Sequence, residues 1–288
     1  MTIRHTSYST VQQIRTRIHA QWLLDSVRFA GLLTAFLVLY VGGRPARASD
    51  EDRQRAFLRA LDTFERAKTP ADFQQAALLW ESLLGDGYEN GAVCYNLGNA
   101  RMRAGNVGLA IAAYRRARRL LPREPSVEAN LNAALDAAPD APRLEAPPWW
   151  QRVLFWHATL AQHERLQASA WAWTLAFLLG LARLFTPVGA RMRKTLAWCA
   201  GTVLAAGVLL STSALLGYQS EVLSKRGVVA VSETLARKGN GPGYDPAFDR
   251  PLKEGAEFVA LETRGGWIRV RLDGAGEGWI PEKDTAVY

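Results

Sequence analysis

The chain has 288 residues, with 35 lysines and arginines against 27 aspartates and glutamates, a formal net charge of +8, and 49% hydrophobic residues. That is room for one or two modest domains. The basic surplus does not mark a nucleic-acid reader: much of it lies before Arg28 and between two apolar segments, and no basic helix or aromatic–basic stripe matches a reader motif.

The two cysteines, Cys94 and Cys199, fall in a helical stretch and in an apolar span, which excludes a disulfide scaffold and a C-x-x-C metal site. His157 and His163 have no third ligand nearby and are read as interfacial polar residues. No metal and no cofactor are expected.

In chain order, residues 1–48 combine a basic head (Arg4, Arg15, Arg17, Arg28), an apolar run of about fifteen residues over 29–43, and the small-x-small site Ala46-Arg47-Ala48. This predicts a signal peptide, or alternatively an uncleaved signal anchor, and either places the rest outside the cytoplasm. Residues 49–137 predict a helical domain rich in Ala, Leu and Arg. Thr69-Pro70-Ala71-Asp72 is a helix start: Thr69 caps, Pro70 takes the first helical position, and Asp72 suits the helix dipole.

Residues 138–150 are proline-rich and predict an extended spacer, followed by an interfacial segment over 151–167. Residues 168–185 and 195–218 are each apolar enough and long enough to span a bilayer, with a link over 186–194. Arg183 precedes that link, and Arg191, Arg193 and Lys194 lie within it without an acid, which predicts a cytoplasmic side. Trp149, Trp150, Trp156, Trp171 and Trp173 sit where an aromatic belt is expected. The expected location is therefore the inner membrane of a bacterium, with the soluble domains on the periplasmic side and the lipid bilayer as one partner.

Residues 219–288 change to valine, glycine and aromatic residues with period-two alternation. In the strand 267–272, Ile268, Val270 and Leu272 face one way, and Trp267, Arg269 and Arg271 the other. Asp273-Gly274-Ala275-Gly276 reads as a hairpin turn.

Two resemblances follow from these residues. The stretch 96–122 resembles a tetratricopeptide repeat, with Leu97, Gly98, Ala110, Tyr114, Ala117 and Pro122 at that family's spacing. In such a hairpin Gly98 and Ala110 allow close helix approach, Leu97 and Tyr114 fill the space between, Gly105-Asn106 turns the chain, and Pro122 stops the second helix. Cys94 and Arg101 depart from the pattern and are expected to weaken the packing. Ala76 and Trp80 precede Ala110 and Tyr114 by one repeat length, and Asn130-Leu131 follows Asn96-Leu97 by another. Asn99, Arg103 and Asn130 are the candidate protein-binding residues of the concave face, with plain solvent exposure as the alternative.

The tail resembles a bacterial SH3-type (SH3b) small barrel through Leu252-Lys253-Glu254-Gly255, Gly266-Trp267-Ile268-Arg269-Val270 and Gly278-Trp279-Ile280-Pro281. Its candidate rim residues are Tyr244, Trp267 and Trp279, although tryptophans there serve more often as packing anchors. The expected fold class is thus a multidomain membrane protein: all-α helical repeat, two transmembrane helices, and an all-β SH3-like small barrel.

The whole layout resembles the BatE-type proteins of aerotolerance operons. That resemblance implies, as partners, membrane proteins with von Willebrand A domains and a MoxR-type ATPase system. The expected function is a membrane-anchored periplasmic adaptor that is not an enzyme, since no G-x-x-x-x-G-K-[ST], H-E-x-x-H or G-x-S-x-G pattern occurs. The alternative is a cell-wall (murein)-binding protein acting through the small barrel.

Overall fold

The first helix whose start is set by chemistry visible in the sequence begins at Pro70. Thr69 accepts from the Asp72 backbone N–H, and the Asp72 carboxylate accepts from the Thr69 and Lys68 N–H groups, closing a capping box. Those backbone donors, Thr69 first, hold the Asp72 carboxyl below its ordinary pKa.

The computed structural model describes residues 50–85, 89–144, 154–185, 189–219 and 225–288; the predicted signal segment 1–48 lies outside them. Among the described residues are eight helices: α1 (Asp50–Arg66), α2 (Pro70–Leu83), α3 (Gly91–Arg103), α4 (Val107–Leu120), α5 (Pro125–Asp136), α6 (Phe155–Thr159), α7 (Gln162–Phe185) and α8 (Ala190–Tyr218). The strands are β1 (Arg226–Val229), β2 (Glu233–Thr234), β3 (Leu252–Lys253), β4 (Glu257–Arg264), β5 (Trp267–Leu272), β6 (Gly276–Pro281) and β7 (Thr285–Val287).

Helices α1–α5 pack side by side. The α3–α4 pair meets where the Tyr114 ring lies over Gly98: a Cβ added there would come within 2.5 Å of Tyr114 Cε1. Ala76, Trp80, Ala110, Ala117 and Leu131 are fully buried, and Leu97 and Tyr114 nearly so. Trp80 on α2 and Tyr114 on α4, 34 residues apart, are thus both buried between helices. Gly105 takes a left-handed φ of 84° after α3, and the Asn106 N–H returns to the Arg101 carbonyl.

Arg101 corrects the expectation of weakened packing. It is 7% exposed, and it donates to Gln74 Oε1 at 3.0 Å and Glu81 Oε2 at 2.8 Å, tying α3 to α2. Cys94 is also buried, beside Ala117 and Val127.

Helices α7 and α8 form an antiparallel pair. Gln162 donates to the Ala214 carbonyl, and Trp173 Nε1 donates to Ser211 Oγ at 3.0 Å. With 24 and 29 residues, and mean hydropathies of 1.4 and 1.8 over an eighteen-residue stretch of each, both are long and apolar enough to cross a membrane. Trp171, Leu178, Leu184, Trp198, Leu209 and Leu215 are exposed on them, so this pair is not the core of a soluble fold. Thr174, Thr202 and Thr212 each donate to a carbonyl one turn back, which satisfies their hydroxyls within the helix.

The helices run further than the expected spans. The first starts at Gln162 within the predicted interfacial segment, which also holds α6. The second starts at Ala190, so Arg191, Arg193 and Lys194 ride on its first turns and not in a loop. His157 is 9% exposed and shares a 2.9 Å hydrogen bond between its Nδ1 and Ser213 Oγ.

The strands form an antiparallel five-stranded sheet in the order β6-β5-β4-β1-β7, with β2 pairing β3 beside it. The alternation along β5 is as the sequence predicts: Ile268, Val270 and Leu272 are buried, while Trp267, Arg269 and Arg271 lie on the other face. The buried set packs with Phe258, Leu252, Ala256 and Ile280.

The β domain does not stand apart from the helices. Val228 lies in one apolar cluster with Ile111, Leu131 and Leu135. A Cβ on Gly108 would collide with the Val229 carbonyl oxygen, so this glycine lets β1 run directly over the start of α4. Over 138–144 the predicted spacer is corrected, and 145–150 lie outside the described residues. Ala141 is buried in the β-domain core, and the Pro142 carbonyl accepts from the Glu257 N–H at 2.8 Å, so residues 138–144 form a strap along the docked surfaces.

Candidate interaction surfaces

Two concave surfaces are available. The first is a groove of about 360 Å³ on the helical module, lined by Phe64, Tyr95, Asn99, Met102, Arg103, Tyr114, Asn130 and Ala133. Helices α1, α3 and α5 supply all of these except Tyr114, which reaches through from α4. The three residues singled out in the sequence, Asn99, Arg103 and Asn130, are thus brought to one face although they span thirty-two positions of chain.

Asn99 and Asn130 hold one another. Asn99 Oδ1 accepts from Tyr114 Oη and from Asn130 Nδ2, each at 2.8 Å, and Asn130 Nδ2 also donates to Tyr95 Oη at 3.1 Å. Both acceptor directions of Asn99 Oδ1 and both donors of Asn130 are then used. These bonds leave the Asn99 amide N–H groups and the Asn130 amide oxygen outside the network, on two residues that line the groove. Burial drives the Tyr114 phenol well above its ordinary pKa, with Tyr95 adding to the shift, so it stays a neutral donor to Asn99. Arg103 sits 5.4 Å from the Phe73 ring centroid and 6.0 Å from that of Phe64, an exposed cation on an aromatic platform.

The second surface is a wider groove of about 1060 Å³ on the β domain. Trp267, Pro242, Pro251 and Pro281 give it apolar walls, and Glu233, Glu282 and Asp284 put carboxylates around it. Trp267 alone of the three predicted rim residues lines it. Trp279 is half-buried on β6, paired with Arg269 on β5 and bridged to Arg237 through backbone hydrogen bonds of 2.7 and 2.8 Å. Tyr244 is 52% exposed but folds its ring over Gly239. Both tryptophans are half-buried, and neither belongs to the buried β-domain cluster.

The docking chemistry between helices and β domain was not foreseen. Arg115 on α4 donates to both carboxylate oxygens of Glu257, at 2.7 and 2.8 Å. Tyr288 Oη donates to the same carboxylate at 3.0 Å, and the Leu144 N–H does so at 3.3 Å. Burial works to lower the Arg115 pKa, but the hydrogen bond to Glu257 and its charge outweigh that, and the net shift is upward. Glu254 Oε1 accepts from the Gly108 N–H at 2.8 Å, so a β-domain carboxylate caps α4, whose own Asn106 makes no side-chain cap.

Among the described residues, no group of three or more His, Cys, Asp or Glu side chains is placed to hold a metal ion. No known protein-family model matches the chain, and no curated protein matches it.

Proposed function

We propose that this chain is a membrane-anchored adaptor of the bacterial envelope, and that its helical groove holds an extended segment of a partner protein. The observation that carries this reading is the assembly of Asn99, Asn130 and Arg103 on one concave face beside exposed Ala133. That face offers a donor, an acceptor and a cation, and no arrangement for making or breaking bonds. On this reading the helical module is tetratricopeptide-like and the β domain is SH3-like. Helices α7 and α8 span the inner membrane, and both modules lie on the periplasmic side, consistent with their direct packing on one another.

The resemblance to BatE-type proteins supplies the partner class: membrane proteins with von Willebrand A domains, working with a MoxR-type ATPase system. Arg103→Glu combined with Ala133→Gln reverses the groove's charge and fills it without touching the Asn99 network. Affinity purification of the full chain from membranes should lose co-purifying membrane proteins in this double variant; unchanged recovery contradicts the groove.

A second reading is favoured by the Trp267 groove. The aromatic wall and surrounding carboxylates suit a murein peptide carrying a free amine. Retention of the full chain on insoluble murein, abolished by Trp267→Ala, would support wall binding over the adaptor reading.

A further inference from the structure

The end of the α7–α8 pair farthest from the soluble modules carries a second kind of surface. The modules join at the opposite end: Arg123, between α4 and α5, is ion-paired to Glu164 on the first turn of α7, and β1 follows α8. At the far end, Arg183, Arg191, Arg193 and Lys194 are all exposed. The sequence has no aspartate or glutamate between Glu164 and Glu221, so no acid in that whole stretch offsets these four cations.

The same end is also apolar. Leu184 is 73% exposed, Met192 52% and Trp198 79%. On α8, Arg191, Lys194 and Trp198 stand at i, i+3 and i+7 and therefore share one face. Two cations above one indole on a single stripe match a molecule with an anionic head and an apolar tail. The antiparallel pairing brings the last turn of α7, with Arg183, beside this stripe.

We infer that the basic collar of Arg183, Arg191, Arg193 and Lys194, with Trp198 below it, binds anionic phospholipid in preference to zwitterionic lipid. This rests on the reading of α7 and α8 as membrane spans. The phosphate meets the guanidinium and ammonium groups, while the acyl chains lie along Trp198 and Met192. At the attraction each such cation has for an anionic surface, losing three lowers retention by roughly a hundred-fold.

The test is native mass spectrometry of the full chain in neutral detergent micelles, with added phosphatidylglycerol or phosphatidylcholine. Micelles have no two sides, so an altered membrane orientation cannot mimic the result. The wild type should retain phosphatidylglycerol at least several-fold more than phosphatidylcholine. Arg191→Gln/Arg193→Gln/Lys194→Gln should reduce this to the phosphatidylcholine level. Equal retention of the two lipids, or retention unchanged in the triple variant, overturns the inference, as does displacement of the lipid by an equal concentration of inorganic phosphate. Alkaline carbonate extraction of the wild type separates the two failures. Release from the membrane contradicts the spans and the collar together, whereas an inserted protein without lipid preference contradicts the collar alone.

Discussion

Arg115 and Glu257 are joined by two hydrogen bonds across 142 residues of chain, and the Glu257 side chain has no exposed surface while that of Arg115 has 13%. The pair ties the helical module to a β domain that follows it only after both long apolar helices. Breaking a buried pair strands one charge, which costs about 3–5 kcal/mol, whereas replacing both partners with apolar groups is often neutral. Arg115→Ala in the full chain should therefore lower the thermal midpoint far more than Arg115→Met with Glu257→Leu and Tyr288→Phe, which removes the other buried side-chain donor to Glu257 as well. Equal losses in the two variants would contradict the role of the pair.

Gly108 tests the docking without touching a charge. Alanine there would drive its Cβ into the Val229 carbonyl, while α4 itself gains from the better helix former. Limited proteolysis should then cut faster near Val229 and in the 138–144 strap, with helical circular dichroism retained. Unchanged cleavage would place Gly108 outside a tight contact.

Gly98→Leu addresses the helical module itself. The leucine meets the Tyr114 ring, and overpacking of this kind costs about 1–3 kcal/mol. A lowered first unfolding transition of the full chain is expected, and Gly98→Leu with Tyr114→Ala should recover part of it. A transition at the wild-type temperature would mean that the two helices are not in close contact.

Burial raises the Cys94 thiol pKa above its ordinary value. Less thiolate is present at a given pH, so alkylation of native Cys94 is suppressed at neutral pH and grows only above the range of a free thiol. In a Cys199→Ser background, labelling at pH 7.5 should be slow until the chain is unfolded. Rapid native labelling would contradict the burial of Cys94.

Local features were legible in the sequence because their physics is local. Thr69 and Asp72 are three residues apart, Leu97 and Tyr114 belong to one hairpin, and the period-two pattern of β5 states its own buried face. Even the groove residues followed from the helical pattern, since Asn99, Arg103 and Asn130 are polar residues on the first helices of successive hairpins. What the sequence hid was long-range. Nothing near Gly108 points to Val229, and nothing near Arg115 points to Glu257. Proline and alanine over 138–148 read as an extended spacer because composition reports backbone preference, not what the strap packs against. Arg101 looked like a packing defect for the same reason: its partners Gln74 and Glu81 lie in the preceding hairpin.

The central claim is that the helical groove, and not the β-domain groove, receives the partner. A photo-crosslinking residue placed at position 133 in the full chain, irradiated in native membranes, tests it most directly. The account predicts a discrete adduct with another membrane protein from position 133. It also predicts that Arg103→Glu suppresses this adduct, and that a probe at Leu78, exposed outside the groove, gives no such adduct. An adduct from a probe at Trp267 with none from position 133 would contradict it and assign partner binding to the β domain.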